Sequence, residues 1–404
     1  MRRRSLHRGF TLLEVMIASA LGVVVLVVGL AVGLQMQRRV LFEEQTMTAQ
    51  VTARAVKDLL ATDLQRAGTG MGNAAITFAN GDSRFAIQVW SDLDLAAGLA
   101  PFFAPDAAFS PPPAGDYATF TSDVLQLYWG DTRAMLILDR CSGGSSDPVR
   151  VDGTDDYCTP LNPTLDLAPV AGVPTPAILV NAAEQVACHV QVTQLRPADR
   201  RLTATQGSAL GVTTDAPCGV PDHAIWKPGD NDPLWVAMRT QSAAYRVNWA
   251  SGIPTLEYQP PGGTWVTVSQ DVERMKIRQA VISLAAPNDP YRWFPDVTTG
   301  TPAIDRCTMT TCTVDADPLP AGAPGNDAEL VRMLQQRVRE LEVTLVIRTQ
   351  RPDRESTLPA GPLNVEDEGF PRDGFKRRTL TFRVTPRNFG AAGRQPIPPA
   401  GAGP

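Results

Sequence analysis

The chain has 404 residues, 43 % of them hydrophobic and 20 % charged, with a formal net charge of −5. Such a length holds one large domain or two average ones around a true core, while 35 prolines and 32 glycines call for long loops. A bulk-acidic chain is a poor general polyanion binder, so nucleic acid is not the expected ligand.

At the N-terminus Arg2, Arg3, Arg4 and Arg8 lead into Gly9-Phe10-Thr11-Leu12-Leu13-Glu14, and the twenty residues from Val15 to Leu34 carry no charge. About 20 helical residues cross a hydrocarbon core of roughly 30 Å. The segment can therefore span a membrane, and the arginines before it keep the N-terminus cytoplasmic and send the remainder outward. Glu14 is the anomaly, because an intramembrane acid is costly unless it is paired. A cut between Gly9 and Phe10 would create an ammonium on Phe10 one helical turn before Glu14, in the same subunit or an axially offset neighbour. The helix dipole also favours an anion there. A secretory signal peptide cleaved at Ala31-Val32-Gly33 is the bland alternative, but the apolar run exceeds the usual h-region. A plain signal anchor explains the length and not the Glu, and no Cys follows the run to carry a lipid.

The basic leader, Gly9, Phe10-Thr11-Leu12-Leu13-Glu14 and the long apolar run resemble the class III signal of type IV pilins and of type II secretion pseudopilins. The resemblance implies an α+β pilin fold, with a long N-terminal helix packed on an antiparallel sheet. It implies a cytoplasmic leader over 1–9, cleaved after Gly9 by a prepilin peptidase, which methylates Phe10. Glu14 then helps dock the subunit into a filament. Removing the leader takes away four arginines and leaves 33 basic against 42 acidic side chains, or −9. Many major pilins carry a Pro in the apolar half of the helix; here none precedes Pro101. Gly22, Gly29 and Gly33 stand there instead, each weakening the helix by about 1 kcal/mol relative to Ala. Ala18-x-x-x-Gly22 and Gly29-x-x-x-Gly33 are also spacings that let helices approach closely.

Beyond the membrane or filament-core part, 10–34, an amphipathic half is predicted over 35–67. Met36, Val40, Met47, Val51, Ala55, Leu59, Leu60 and Leu64 form its apolar stripe, against Gln37, Arg38, Glu43, Glu44, Lys57 and Asp58. Gly68 is the expected C-terminal cap, so one helix from Phe10 to Ala67 would run about 87 Å at ~1.5 Å per residue. An exported β-rich domain over 68–390 follows. Strands are predicted at Phe85 to Trp90, Val124 to Trp129, Met135 to Leu138, Ala177 to Val180, Ala187 to Leu195, Leu234 to Met238 and Ala244 to Trp249. Thr255 to Tyr258 and Thr264 to Val268 make a hairpin around Gln259-Pro260-Pro261-Gly262-Gly263. Met275 to Ile282, Leu341 to Thr349 and Thr379 to Val384 complete the set. Stretches near 97–116 and 287–326 lack periodicity and are expected as surface loops or insertions, and 391–404 as a disordered tail.

The strand phrases also resemble, in order, those of PilW-type minor pilins. They are Ser122-Asp123-Val124-Leu125-Gln126-Leu127, Ile178-Leu179-Val180-Asn181 with Cys188 nearby, Val190-Gln191-Val192-Thr193 and Ala244-Tyr245-Arg246-Val247. Val272 to Arg278, Val338 to Leu345 and Arg377 to Val384 follow, the last running to Arg387-Asn388. Partners implied are a prepilin peptidase, other minor pilins, a major pilin and an inner-membrane assembly platform, with a large tip adhesin in addition and membrane lipid before assembly.

Six cysteines, Cys141, Cys158, Cys188, Cys218, Cys307 and Cys312, all fall in the exported part, where disulfides are the expected state. Their number leaves the connectivity open; neighbour pairing is simplest, and Cys307-x4-Cys312 closes the tightest loop. The rival, a zinc site, would have only His189 and His223 to help. Asp152, Asp155 and Asp156, or Asp230-Asn231-Asp232, could surround calcium, although neither run fits EF-hand spacing and solvated turns are the default. No G-x-S-x-G, P-loop or H-E-x-x-H motif occurs, so neither enzymatic activity nor a cofactor is expected. Three functions remain: a minor pilin of a tip or priming complex, a J-type minor pseudopilin of type II secretion, and a tip-displayed adhesin or DNA-uptake module.

Overall fold

In the computed structural model the apolar and amphipathic runs are one helix, α1 (Leu12–Arg66), of 55 residues, about 82 Å long at ~1.5 Å per residue. No proline interrupts it. Thr11 caps its start, one residue later than the expected Phe10. At its end Gly68 takes φ +74°, a left-handed conformation suited to glycine. The Gly68 N–H then donates to the Tyr128 carbonyl at 2.9 Å, so the chain leaves the helix already bonded to the sheet. The structure describes residues 11–78, 83–99, 102–138, 150–151, 154–159, 165–181, 186–208, 211–212, 235–283, 291–314, 323–352, 370–371 and 373–389.

The strands in chain order are β1 (Ala75–Thr77), β2 (Ser83–Arg84), β3 (Ile87–Trp90), β4 (Val124–Leu138), β5 (Arg150–Val151), β6 (Thr154–Cys158), β7 (Thr175–Asn181), β8 (Val186–Arg196), β9 (Arg201–Ser208), β10 (Gly211–Val212), β11 (Trp235–Asn248), β12 (Thr255–Gln259), β13 (Val266–Gln270), β14 (Val272–Val281) and β15 (Arg292–Phe294). Helix α2 (Asp327–Gln336) precedes β16 (Val338–Arg348) and β17 (Arg377–Val384). Among the described residues β1 to β13 form one sheet, and β15-β14-β16-β17 a second. Pairing is antiparallel apart from β1 with β8. Strand β11 is the hub of the larger sheet. One edge pairs with β4 from Trp235 to Tyr245; the other pairs with β7 from Trp235 to Arg239 and with β12 from Ala244 to Asn248.

Helix α1 packs against β4 and β13 of the first sheet and β16 and β17 of the second, so its second half lies under both. Ala53, Val56, Leu60 and Leu64 share a core with Leu125, Leu127, Tyr245 and Val247 above and with Ile277, Val343 and Leu345 beside them. Small residues at Ala49 and Ala53 let the backbones approach. The Tyr245 hydroxyl donates to Asp63 Oδ2 at 2.6 Å inside this interface. Burial first, and then the Asp63 carboxylate, hold that hydroxyl protonated far above its ordinary range.

The second sheet is fastened by buried charge. Arg377, at the start of β17, grips Glu273 of β14 with Nε and Nη2 at 2.6 and 3.0 Å, and Asp373 with Nη1 and Nη2 at 2.9 and 2.6 Å. Arg348 adds contacts to Asp271 at 3.3 Å and Glu273 at 3.7 Å. Tyr117, also bonded to Asp373, has its hydroxyl pushed up to about 12 by burial and then by that carboxylate.

The fold is α+β, with a long apolar N-terminal helix and a large, mostly antiparallel sheet region, consistent with a pilin-like architecture. Several expectations are corrected. Val124 to Trp129 and Met135 to Leu138 are one strand, because a register shift between Met238 and Arg239 of the partner strand absorbs Thr132, Arg133 and Ala134. The separate strands expected before and after Met238 are likewise the single β11. The stretch near 97–116 buries Phe103 and Phe109 with Leu95, Val124 and Ala244. Within 287–326, β15 joins the second sheet, and Phe294, Ile304, Cys307 and Cys312 enter the main core. Helix α2 is an addition to the expected elements, and Asn326 caps it by accepting from the Glu329 N–H at 2.9 Å.

Two substitutions test these fastenings. Tyr245→Phe removes the hydroxyl donor of the buried Asp63 carboxylate, leaving it, among the described residues, only Arg66 at 3.7 Å, and is expected to cost about 1–3 kcal/mol. Arg377→Met leaves Glu273 buried without its bidentate partner and is expected to cost about 3–5 kcal/mol. Equilibrium unfolding of the full-length chain in lipid nanodiscs measures both.

Candidate functional site

The N-terminal half of α1 touches nothing else among the described residues. Leu12–Gln37 is 26 residues long, its most apolar stretch averages a hydropathy of 2.8, and no part of that stretch is buried. By length and composition it suffices to cross a membrane. Gly22, Gly29 and Gly33 lie on this bare surface with open space where a side chain would stand.

At its tip, Thr11 and Glu14 form a closed pair. The Glu14 N–H donates to Thr11 Oγ1 at 3.3 Å, while Glu14 Oε2 accepts from the Thr11 N–H at 2.9 Å and its hydroxyl at 3.0 Å. This is a capping box, in which two orphan N–H donors at the helix start are satisfied reciprocally. Its signature, Thr-x-x-Glu, stands in the sequence, masked there by the more conspicuous cost of the carboxylate's charge. Both bonds use Oε2, and Oε1 accepts none among the described residues. Gly9 and Phe10 lie outside those residues.

The second half of α1 corrects the expected stripe. The side packed on the sheets is Ala49, Ala53, Val56, Leu60 and Leu64. Met47 and Val51 are 67 % and 66 % exposed, and Met36, Val40, Ala55 and Leu59 are exposed with them. At 100° per residue these fall on the far side of the helix from Ala49 and Ala53. The single stripe read from the sequence is thus two. One, small in side chain, faces the sheets. The other, larger, faces away and is interrupted by exposed Glu44, Arg54 and Asp58, which fall on the same side.

Cys307 and Cys312 are joined in a disulfide that closes a five-residue separation. Cys158 and Cys188 are also disulfide-bonded, while Cys141 and Cys218 lie outside the described residues. Asp155 and Asp156 belong to strand β6, paired with Ala204 and Thr203 of β9, and not to a turn. A ladder-bonded backbone of this kind does not fold several oxygens around one ion. Asp152, Asp230 to Asp232 and His223 lie outside the described residues. Among the described residues no cluster of three or more His, Cys, Asp or Glu is arranged for a metal. His189 is a buried strand residue stacked on Phe78, centroids 4.6 Å apart.

A family model described as the prokaryotic N-terminal methylation motif matches residues 4–30. No curated protein and no solved structure matches the chain. The motif and the apolar helix together support a type IV pilin-like or pseudopilin-like protein, anchored by one membrane-crossing helix. The motif implies processing by a prepilin peptidase and assembly with pilus components.

The cap and the charge are separable. Thr11→Ala removes the cap and is expected to cost the helix start about 0.5–2 kcal/mol. Glu14→Gln keeps a capping-box acceptor and should cost far less. Amide exchange at Leu13 to Met16, measured by NMR on the full-length chain in micelles, distinguishes them. Faster exchange in the Glu variant than in the Thr variant would contradict this assignment.

Proposed function

We propose that this protein is a minor pilin of a type IV pilus, a structural subunit and not an enzyme, placed in a tip or priming complex. The observation that carries the proposal is the uncovered apolar surface of α1 from Leu12 to Leu34, extended by exposed Met36, Val40, Met47 and Val51, with the motif at its head. The far stripe has no partner among the described residues. In a membrane lipid covers the first half; in a filament, neighbouring helices would cover both halves. Gly22, Gly29 and Gly33 are where such helices would approach most closely.

The leader stays in the cytoplasm, a prepilin peptidase cuts after Gly9 and methylates Phe10, and Glu14 docks the subunit. Its free Oε1 accepts the new ammonium of Phe10, from the same subunit or a neighbour, without disturbing the cap. The exported domain occupies the periplasm and then the pilus tip, in contact with other minor pilins, the major pilin, the inner-membrane platform and a large tip adhesin. Strand order also supports the PilW-type reading, since its phrases fall on β4, β7, β8, β11, β14, β16 and β17. The many loops make a subunit hard to repeat along a thin filament, which favours a capping place.

Deleting the gene should abolish surface piliation and twitching. In the complemented strain, Glu14→Gln should be processed normally but incorporated about tenfold less, as loss of a charge-assisted bond of roughly 1.5–3 kcal/mol requires. Thr11→Ala should be incorporated nearly as wild type. Immunoblots of sheared pili and of membranes measure both fractions. Normal pili with a lost secreted enzyme would point instead to a J-type pseudopilin, and normal pili with lost attachment to an adhesin.

A further inference from the structure

The larger sheet carries a cleft on its face away from α1. Tyr245 and Val247 of β11 face α1, so the alternating Thr240, Ser242, Ala244 and Arg246 face the other way. The register sets Thr240 against Gly130, Ser242 against Tyr128 and Ala244 against Gln126 of β4. Gly, Ser and Ala leave this floor low. The segment from Phe102 to Asp106 and the β12–β13 turn at Pro260 to Trp265 wall a volume of about 680 Å³ above it. That lies within the roughly 300–1,000 Å³ of small-molecule sites.

Three polar atoms in the lining are left over. Gln126 Oε1, Thr240 Oγ1 and Arg246 Nη1 find no hydrogen-bond partner among the described residues. Their residues are 8 %, 5 % and 1 % exposed. Buried polar groups are ordinarily bonded, and each bond left unmade costs about 1–3 kcal/mol. Each atom is sealed from solvent in this conformation, so a ligand group or a bridging water meets this acceptor, guanidinium donor and hydroxyl only when a neighbouring side chain shifts.

The electrostatics select against charge. Arg246 lies between Asp106 at 2.6 Å and Glu257 at 2.7 Å. Arg84 donates to the Tyr128 hydroxyl at 2.7 Å, with the Phe78 and Phe102 rings at 4.6 and 4.5 Å. These two cations and two carboxylates are the ionised side chains lining the cleft among the described residues, and their charges cancel. An anion gains no net counter-charge here. An extended peptide gains no ladder either, because the floor is the face of interior strands and not a sheet edge. Vicinal hydroxyls match the amide, guanidinium and hydroxyl groups, and since Trp265 has one face on the Arg246 guanidinium at 4.1 Å and Phe102 one on Arg84 at 4.5 Å, the C–H face of a pyranose would meet what those cations leave uncovered.

We propose that this cleft binds a neutral oligosaccharide. The full-length chain, in phospholipid nanodiscs free of sugar-headed detergent, is applied to a printed array of neutral, sialylated and sulfated glycans. The strongest neutral glycan is then titrated by calorimetry. Saturable binding confined to neutral glycans is expected, weakened about tenfold or more by Trp265→Ala and Gln126→Leu. Ser242→Phe, which fills the cleft from its floor, should weaken it likewise, while Trp293→Ala on the second sheet should not. Near-UV circular dichroism verifies that each variant folds, and Ser242→Phe carries the test if Gln126→Leu does not. Silence across the array, binding only to acidic glycans, or binding that survives both Trp265→Ala and Ser242→Phe would overturn the proposal. None of these outcomes bears on filament assembly, which the nanodisc measurement does not require.

Discussion

Helix α1 carries large apolar side chains on a second side as well, and among the described residues sheets cover only the first. Burying apolar area is the dominant favourable term in folding. The near side, with Ala49 and Ala53 admitting the backbones and Val56, Leu60 and Leu64 filling the space, draws β4, β13, β16 and β17 onto one spine. That contact decides where the two sheets lie. The far side and the whole first half remain bare among the described residues, leaving a large hydrophobic surface uncovered. Contiguous apolar surface on that scale marks a membrane or protein contact.

Polar chemistry fixes what apolar packing leaves loose. A helix can slide or rotate along a smooth apolar contact, and Asp63 with Tyr245 removes that freedom by tying one turn of α1 to one residue of β11. Gly68 then turns the chain directly onto the Tyr128 carbonyl. Farther from the spine, charge has the same effect, because Arg377 holds the start of the C-terminal strand to Glu273 of β14 through paired bonds. Buried pairs add little net stability compared with apolar replacements, but they specify register strongly because any misfit leaves a charge unpaired.

Much of this is legible in the sequence, and the exceptions have physical causes. Long helices and β-branched strands announce themselves by period, so the expected positions of α1, β8, β11, β14, β16 and β17 overlap the observed ones. The stripe on α1 is mis-phased in the hydropathy pattern because large residues dominate it, while the side that packs closest uses alanines, which carry little signal. Strands β6 and β9 escape notice because Asp155-Asp156 and Thr203-Ala204-Thr205 are polar or small, and their pairing is set by neighbours distant in sequence. The segment from Arg292 to Cys312 lacks periodicity for a similar reason: its buried residues are scattered among turns and are held by a disulfide. The cleft has no local signature at all, since Gln126, Thr240 and Arg246 meet only through the register of β4 on β11 and the turn of β11 into β12.

The carboxylate at Glu14 is best understood by separating its two roles. Capping requires an acceptor at the third helical position, and an amide oxygen serves there as well as a carboxylate. Capping therefore accounts for the hydrogen bonds to Thr11 and not for the charge. A charge at the head of a membrane-crossing segment is costly, and the cap already uses Oε2 alone. What remains is a negative oxygen, Oε1, that needs a cation, and the described part of α1 offers no basic side chain within its first seven turns. Under the proposed cut after Gly9, the missing cation would be the chain's own new terminus or that of a neighbour. The need for a charge, as distinct from an acceptor, is thus a reason for the carboxylate that arises only once the subunit is processed and assembled.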